Sequence, residues 1–309
     1  VVGNLLALQR FGADFPRVYM DADIKGWFVS SLLLGAWFGS LLSGPLCDRL
    51  GRKRSIMWQV VVFTLGSALQ TGARTEAHMF AGRIIAGLSV GSLTHIVPMY
   101  IAELAPAGMR GALVALQQLS ITLGILFSYW IAYGTSHIGG TRCAPGIPYS
   151  GPKGADGNPT FDAYRDVPAD GCTGQSEAAW RVPVGIQILP GLVLGFGMFF
   201  MPYSPRWLVE VGRDDEAKAT LSRLRSLPVD DPDVIREYVE IKAEIVTIRQ
   251  IREARGAGKS GLARALQPYI ELVSTKSNFH RLYIGCTTMF FQQFIGCNAI
   301  IYVSGYGTA

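Results

Sequence analysis

The 309-residue chain is 49% hydrophobic and only 17% charged, long enough for two soluble domains, but its apolar residues gather into uncharged runs of about twenty, the length a helix needs to cross a bilayer core. A net charge of +5 would favour a nucleic-acid partner only if the basic residues formed one soluble patch; they fall between the apolar runs, where positive-inside bias accounts for them. Five cysteines without CxxC spacing, and four scattered histidines, argue against a metal site, and no cofactor is expected.

The elements follow in chain order. Residues 1–8 are too short to span and read as the outer half of a first helix whose start is missing. The chain starts without Met and stops soon after another apolar run, so both ends read as cut through helices. Residues 10–25, with Asp14, Asp21 and Asp23, read as an exterior loop. Residues 26–46 form the second helix and 55–72 the third. Between them Arg49, Arg52, Lys53 and Arg54 crowd a tight loop, which positive-inside bias assigns to the cytoplasm. The fourth helix is expected at 79–102, the fifth at 112–133 and the sixth at 182–201. Gly35/Gly39 and Gly87/Gly91 stand at GxxxG spacing, which by itself says only that the helices pack closely.

Two inserts break the pattern. Residues 137–177 are rich in Gly, Pro, Asp and Ser and fall outside; Cys143 and Cys172 within them could be a disulfide or two separate thiols. Residues 203–280 fall inside, with mixed-charge helical spacing at 214–226 and 233–255 punctuated by Pro228, Pro232, Gly256 and Gly258. Gly258-Lys259-Ser260 is not a phosphate loop, because Glu253 stands where the first glycine is required. A seventh helix is expected over 282–306.

Four motifs in order resemble the sugar-porter branch of the major facilitator superfamily. They are Asp48-Arg49-Leu50-Gly51-Arg52-Lys53-Arg54; Gly82-Arg83 with Pro98-Met99-Tyr100-Ile101-Ala102-Glu103-Leu104-Ala105-Pro106 and Arg110-Gly111; Pro202-Tyr203-Ser204-Pro205-Arg206-Trp207-Leu208, with Tyr203 where an acidic residue is often found; and Gln292-Gln293-Phe294-Ile295-Gly296-Cys297-Asn298 followed by Tyr302. The exterior loop is also similar to that of fungal hexose transporters.

Physical chemistry gives these residues work. Unpaired near a helix centre, Arg83 would cost roughly 2.5–3.5 kcal/mol, so it either faces the bundle and finds a partner or snorkels to the exterior headgroups. The resemblance places it near a first-helix acid that couples protons in symporting members, an acid that would precede Val1. Gln118, Gln292, Gln293 and Asn298 are uncharged amides in apolar helices, suited to a neutral, hydroxyl-rich ligand or to helix-to-helix bonding. On a regular helix Gln292, Asn298 and Tyr302 share a face; Gln293 points away by about 100° and joins them only if the helix bends at Gly296. The resemblance implies that both glutamines, with Gln118, contact sugar. It also implies that Glu103, Arg110 and Arg52, with Asp48 beside them, form ion pairs closing the inner mouth, to which Arg206 ties the cytoplasmic helices.

The expected fold is all-α, a polytopic membrane helical bundle of the major facilitator type. It divides into an N-terminal six-helix half with an incomplete first helix (1–202), a cytoplasmic helical linker (203–280) and a seventh helix opening the second half (281–309). The expected function is transport of a hexose or related sugar by alternating access, through facilitated diffusion or proton symport. A non-transporting sugar sensor and a polyol or quinate porter are the alternatives, and no enzyme is expected. The expected partners are the bilayer, a small sugar and, in symport, protons, with no nucleic acid; the expected location is multi-pass in the plasma membrane.

Overall fold

The computed structural model describes residues 2–106, 108–152, 158–168, 171–256, 270 and 273–294. Among them the regular elements are all helices: α1 (Val2–Leu5), α2 (Gln9–Asp14), α3 (Pro16–Met20), α4 (Ala22–Leu50), α5 (Arg52–Thr71), α6 (Glu76–Leu104), α7 (Arg110–Ser136), α8 (Ala178–Ile186), α9 (Ile188–Phe200), α10 (Pro205–Glu210), α11 (Asp214–Arg225), α12 (Pro232–Gly256) and α13 (Lys276–Phe294). Four are long and apolar enough to cross a membrane: α4, α6, α7, and α8 with α9 as one run of 23 residues. α5 is not among them because Arg52, Lys53 and Arg54 fill its first turn and Ser55, Gln59, Ser67 and Gln70 dilute the rest. The last four are buried, and α5 packs along α6.

The helices outrun their apolar stretches because their caps lie in the flanking polar residues. Asp21 accepts from the amides of Asp23 and Ile24, starting α4 four residues before its uncharged run, and Thr75 accepts from the His78 amide at the start of α6. At its other end α4 continues through Asp48 and Arg49 to Leu50. Charge does not end it; Gly51 does, at φ 79°, a conformation that suits glycine. The expected loop between α4 and α5 is thus a single residue.

α4 and α6 form the spine. Ser31, Gly35, Gly39, Ser43 and Cys47, each four residues after the last, are all buried on α4. A Cβ at Gly35 or Gly39 would strike the carbonyls of Ile84 and Leu88, and one at Gly87 or Gly91 those of Leu32 and Ala36. Contacts that ascend together in both helices mean parallel packing at nearly backbone distance. Ser92 closes it by donating to the Gly39 carbonyl at 2.8 Å.

The residues expected as a half helix and an exterior loop (1–25) are instead three short helices. They hold because Arg10 and Asp14 pair one turn apart at 3.3 Å and because Phe11, Phe15 and Val18 are buried with Phe28, Met79 and Trp180. Trp180 Nε1 donates to Asp14 at 2.8 Å, and its ring meets Phe11 and Phe15 edge-on at 5.9 and 5.6 Å. Burial holds the Asp14 carboxyl above its ordinary range, against the pull of Trp180 and Arg10. The insert at 137–177 closes over this end. Cys143 and Cys172 are joined as a disulfide, and buried Asp166 accepts from the Ser150 hydroxyl at 2.6 Å and the Asp162 amide at 2.8 Å.

At the opposite end α10, α11 and α12 build their own core from Trp207, Leu208, Ala217, Leu221, Val234 and Tyr238. α13 begins six residues before the expected position of a seventh helix and is largely exposed; the expected stretch beyond residue 294 lies outside the described residues.

Candidate functional site

The Gly51 end of the bundle is built of charge. Arg52, the first residue of α5, is only 4% exposed, and its Nη2 lies 3.0 Å from Glu103 Oε1 at the end of α6. Its Nη1 lies 4.0 Å from Glu210 of α10. The other Glu103 oxygen accepts from the buried Ser204 hydroxyl at 2.5 Å. Ser204 is also the N-cap of α10, accepting from the Trp207 amide, so one side chain both starts the helix and docks it on the bundle. The Trp207 indole lies against Gly51, where no Cβ would fit.

Further ties fix the insert beneath the spans. Tyr100 donates to the Pro202 carbonyl at 2.6 Å, and Arg225 binds Glu237 through two nitrogens at 2.9 and 2.6 Å while reaching the Leu104 carbonyl at 3.4 Å. Arg206 pairs with Glu244 through two nitrogens at 3.2 and 2.8 Å. Lys53 donates to the carbonyls of Phe199 and Met201 at 3.1 and 2.7 Å, meeting the C-terminal end of α9 where a cation is favoured. Lys242 donates to Asp214 at 2.8 Å; this bond holds the Asp214 carboxyl below its ordinary range and the ammonium above its own.

Tyr203, at the position where an acid is often found, collects cations without being one's counter-ion. Lys53, Arg54 and Arg213 lie 5.0, 5.9 and 5.6 Å from its ring centroid, and the ring stacks on Trp207 at 5.6 Å. An aromatic face attracts cations without the desolvation cost of a carboxylate.

Between the spans and the insert lies a cavity of about 1290 Å³ lined by Asp48, Arg52, Glu103, Arg110 and Arg206. All five residues picked out as an inner gate therefore meet around one space. Asp48 and Arg110 are exposed there, whereas the Arg52–Glu103 pair is nearly sealed. Sequence reasoning missed Ser204, Glu210 and Arg225. A serine before Pro205 was a readable cap signal; nothing in the sequence marked Glu210 or Arg225 as neighbours of α5 and α6.

Arg83 is 2% exposed and turned into the bundle. Its Nε donates to the Phe28 carbonyl at 2.7 Å and the Ser31 hydroxyl at 3.3 Å, its Nη2 to the Val29 carbonyl at 3.3 Å, and its guanidinium lies 4.3 Å from the Phe28 ring centroid. Snorkelling is thereby replaced by carbonyl and aromatic partners on α4. Gln118 on α7 and Gln292 on α13 are both exposed, and α13 packs only marginally on the other described elements, so the described residues do not bring the two together. The Gln293 side chain, Asn298 and Tyr302 lie outside what is described.

A family model described as "Sugar (and other) transporter" matches residues 6–306. The chain is 34% identical over 283 residues to the MFS glucose transporter mfs1 of Aspergillus flavus, covering 91% of this chain and 46% of that protein. It is 31% identical over 304 residues to the glucose transporter GlcP of Staphylococcus epidermidis, covering 98% and 53%. The chain thus spans about half the length of these relatives. Among solved structures it is similar to the xylose transporter XylE from E. coli in a partially occluded inward-open conformation, with a TM-score of 0.62 at 22% identity, covering 97% of this chain and 63% of that one. The proton:xylose symporter XylE bound to 6-bromo-6-deoxy-D-glucose gives 0.63, also at 22% identity, covering 98% and 60%. That likeness shows the fold of a major facilitator. With a family match along nearly its whole length and four helices fit to span a bilayer, the chain is a multi-pass membrane protein that belongs to the sugar (and other) transporter family.

Proposed function

We propose that the protein to which this chain belongs moves a hexose or related neutral sugar across the plasma membrane by alternating access, as a facilitator or a proton symporter. In this reading residues 1–202 carry the first half of the transporter, 203–280 a cytoplasmic helical linker and 281–309 the start of the second half. Gln118, Gln292, Gln293, Asn298 and Tyr302 contact the sugar. Arg83 is the intramembrane charge available for coupling. Asp48, Arg52, Glu103, Arg110 and Arg206 form the inner gate, and Cys143 and Cys172 staple the exterior loop.

The observation that supports this reading best is the shared cavity. The five residues come from five separate helices, and the space they surround has both signs of charge on its walls. Ion pairs at such a place can separate when water enters and re-form when the mouth closes. Two relatives carry the name quinate permease, at 30% and 31% identity, so a carboxylated polyol is the second reading. It is less favoured because a carboxylate calls for a cation in the substrate site, and the amides assigned there supply none.

The test is uptake by the full-length protein in transport-deficient cells across hexoses, polyols and quinate, with and without a protonophore. Saturable hexose uptake, strongly reduced in Gln292→Ala, is the expected result. Hexose uptake unchanged in that variant would overturn the substrate site; sugar binding without any uptake would favour a sensor.

A further inference from the structure

We propose that His95, which plays no part in the reading above, is a further substrate-contacting residue that offers an unprotonated Nε2 to one hydroxyl of the transported sugar. Ser43 is fully buried on α4, and its Oγ lies 2.6 Å from the Ser40 carbonyl and 3.0 Å from His95 Nδ1. A serine hydroxyl has one proton, and the carbonyl at the shorter distance can only accept it. The contact to His95 is then made by Nδ1–H donating to Ser43 Oγ. A neutral imidazole protonated at Nδ1 carries a bare lone pair at Nε2. A buried serine on one helix therefore sets the tautomer of a histidine on the next.

The placement gives that lone pair its use. His95 follows Gly87 and Gly91 at intervals of four on α6, where the seam with α4 changes from backbone contact to an imidazole reaching across. The residue is exposed inside an otherwise apolar span, and an acceptor turned toward lipid would lose its hydration with nothing in return. It also stands at the level of Gln118. His95 is about nine residues from the Leu104 end of α6, and Gln118 about eight from the Arg110 start of α7, which puts both roughly 12–14 Å above the Gly51 end. The amides at that level both donate and accept; Nε2 accepts only, so it requires a ligand group that brings its own proton, which a sugar hydroxyl does.

This proposal rests on the transport reading. Its test measures KM and maximal rate for the full-length protein on a panel of monodeoxy and monofluoro analogues of its best hexose. In wild type, one ring position is expected to raise KM about 2- to 10-fold when hydroxyl becomes hydrogen or fluorine, since fluorine has no proton to give. His95→Leu is expected to raise KM for the parent sugar by the same factor and to erase sensitivity at that position alone, with His95→Gln keeping part of it through its amide oxygen. An unchanged analogue pattern in His95→Leu, or an equal loss at every position, overturns the role of His95 while leaving transport standing. If His95→Leu does not reach the membrane, His95→Gln and His95→Asn carry the same comparison. A wild-type protein that takes up no sugar overturns both readings.

Discussion

The two ends of the bundle are held together by different forces. At the Thr75 end, Trp180 meets Phe11 and Phe15 edge to face, Phe11 lies tilted against Phe15 and Phe28, and the 137–177 insert, with its disulfide, lies across them. At the Gly51 end the joints are ion pairs and single hydrogen bonds: Arg52 to Glu103, Ser204 to Glu103, Arg225 to Glu237 and Arg206 to Glu244. Apolar burial and a covalent staple are strong and give no second stable arrangement. Charge pairs around a cavity can trade partners with water once it enters, the exposed ones at little net cost and the sealed Arg52–Glu103 pair only when water reaches it. On the proposed transport reading, one end stays together and the other comes apart.

Substitutions can break that contrast. Trp180→Ala is expected to have the largest effect, about 3–5 kcal/mol, because it removes a fully buried indole and leaves Asp14 with Arg10 alone; thermal unfolding of the detergent-solubilised full-length protein would show a loss that salt changes little. Arg52→Ala should cost about 3 kcal/mol by leaving Glu103 without its cation in a nearly sealed site. Arg52→Met with Glu103→Leu should recover most of that stability while leaving uptake defective, which separates a gate from a structural strut. If the double variant transports normally, the pair is only structural.

Smaller effects sharpen the comparison. Burial alone would raise the Asp166 carboxyl, but the Ser150 hydroxyl, the amides of Asp162 and Ser150, and Arg165 outweigh it and hold its pKa below the ordinary 3.8. Its contribution to the insert is therefore complete above that value and is lost as pH falls through the lower, folded one. Hydrogen exchange at the Ser150 and Asp162 amides should accelerate over that acid window in wild type, and Asp166→Asn should remove the pH step. Arg206→Ala should be the mildest, within about 1 kcal/mol, since its pair with Glu244 is exposed; unfolding should barely register it, and its effect would be sought in transport rate.

Much of the helix order was legible because apolar runs of spanning length have few other uses. The boundaries were not, since Asp21 and Thr75 cap helices from positions that read as loop, and Asp48 and Arg49 continue α4 where charge suggested a turn. Residues 10–25 misled because Arg10 and Asp14 look solvated until Trp180, some 166 residues away, is placed over them. The charged residues proposed as a gate were readable as residue types at matching ends of helices, yet the contact of Ser204 with Glu103 depends on how the insert docks, which no local pattern encodes. Of the amides proposed for the sugar site, Gln118 and Gln292 are exposed and the described residues do not bring them together. His95 was passed over because a lone histidine in a span carries no motif, and its tautomer follows only from the distances around Ser43.

The glycine seam has a mechanical consequence. Each helix of the spine has 29 residues, or about 43 Å of length, and carbonyls seated in glycine notches turn after turn act like the teeth of two meshed racks, so neither helix can slide along the other. The pair is a single stiff beam. At one end of the seam stand Phe28 and Arg83; past its other end, beyond Pro45 and Pro98, stand the turn at Gly51 and the Arg52–Glu103 pair, so a tilt imposed at one end of the seam is carried to the other with no relay of side chains between.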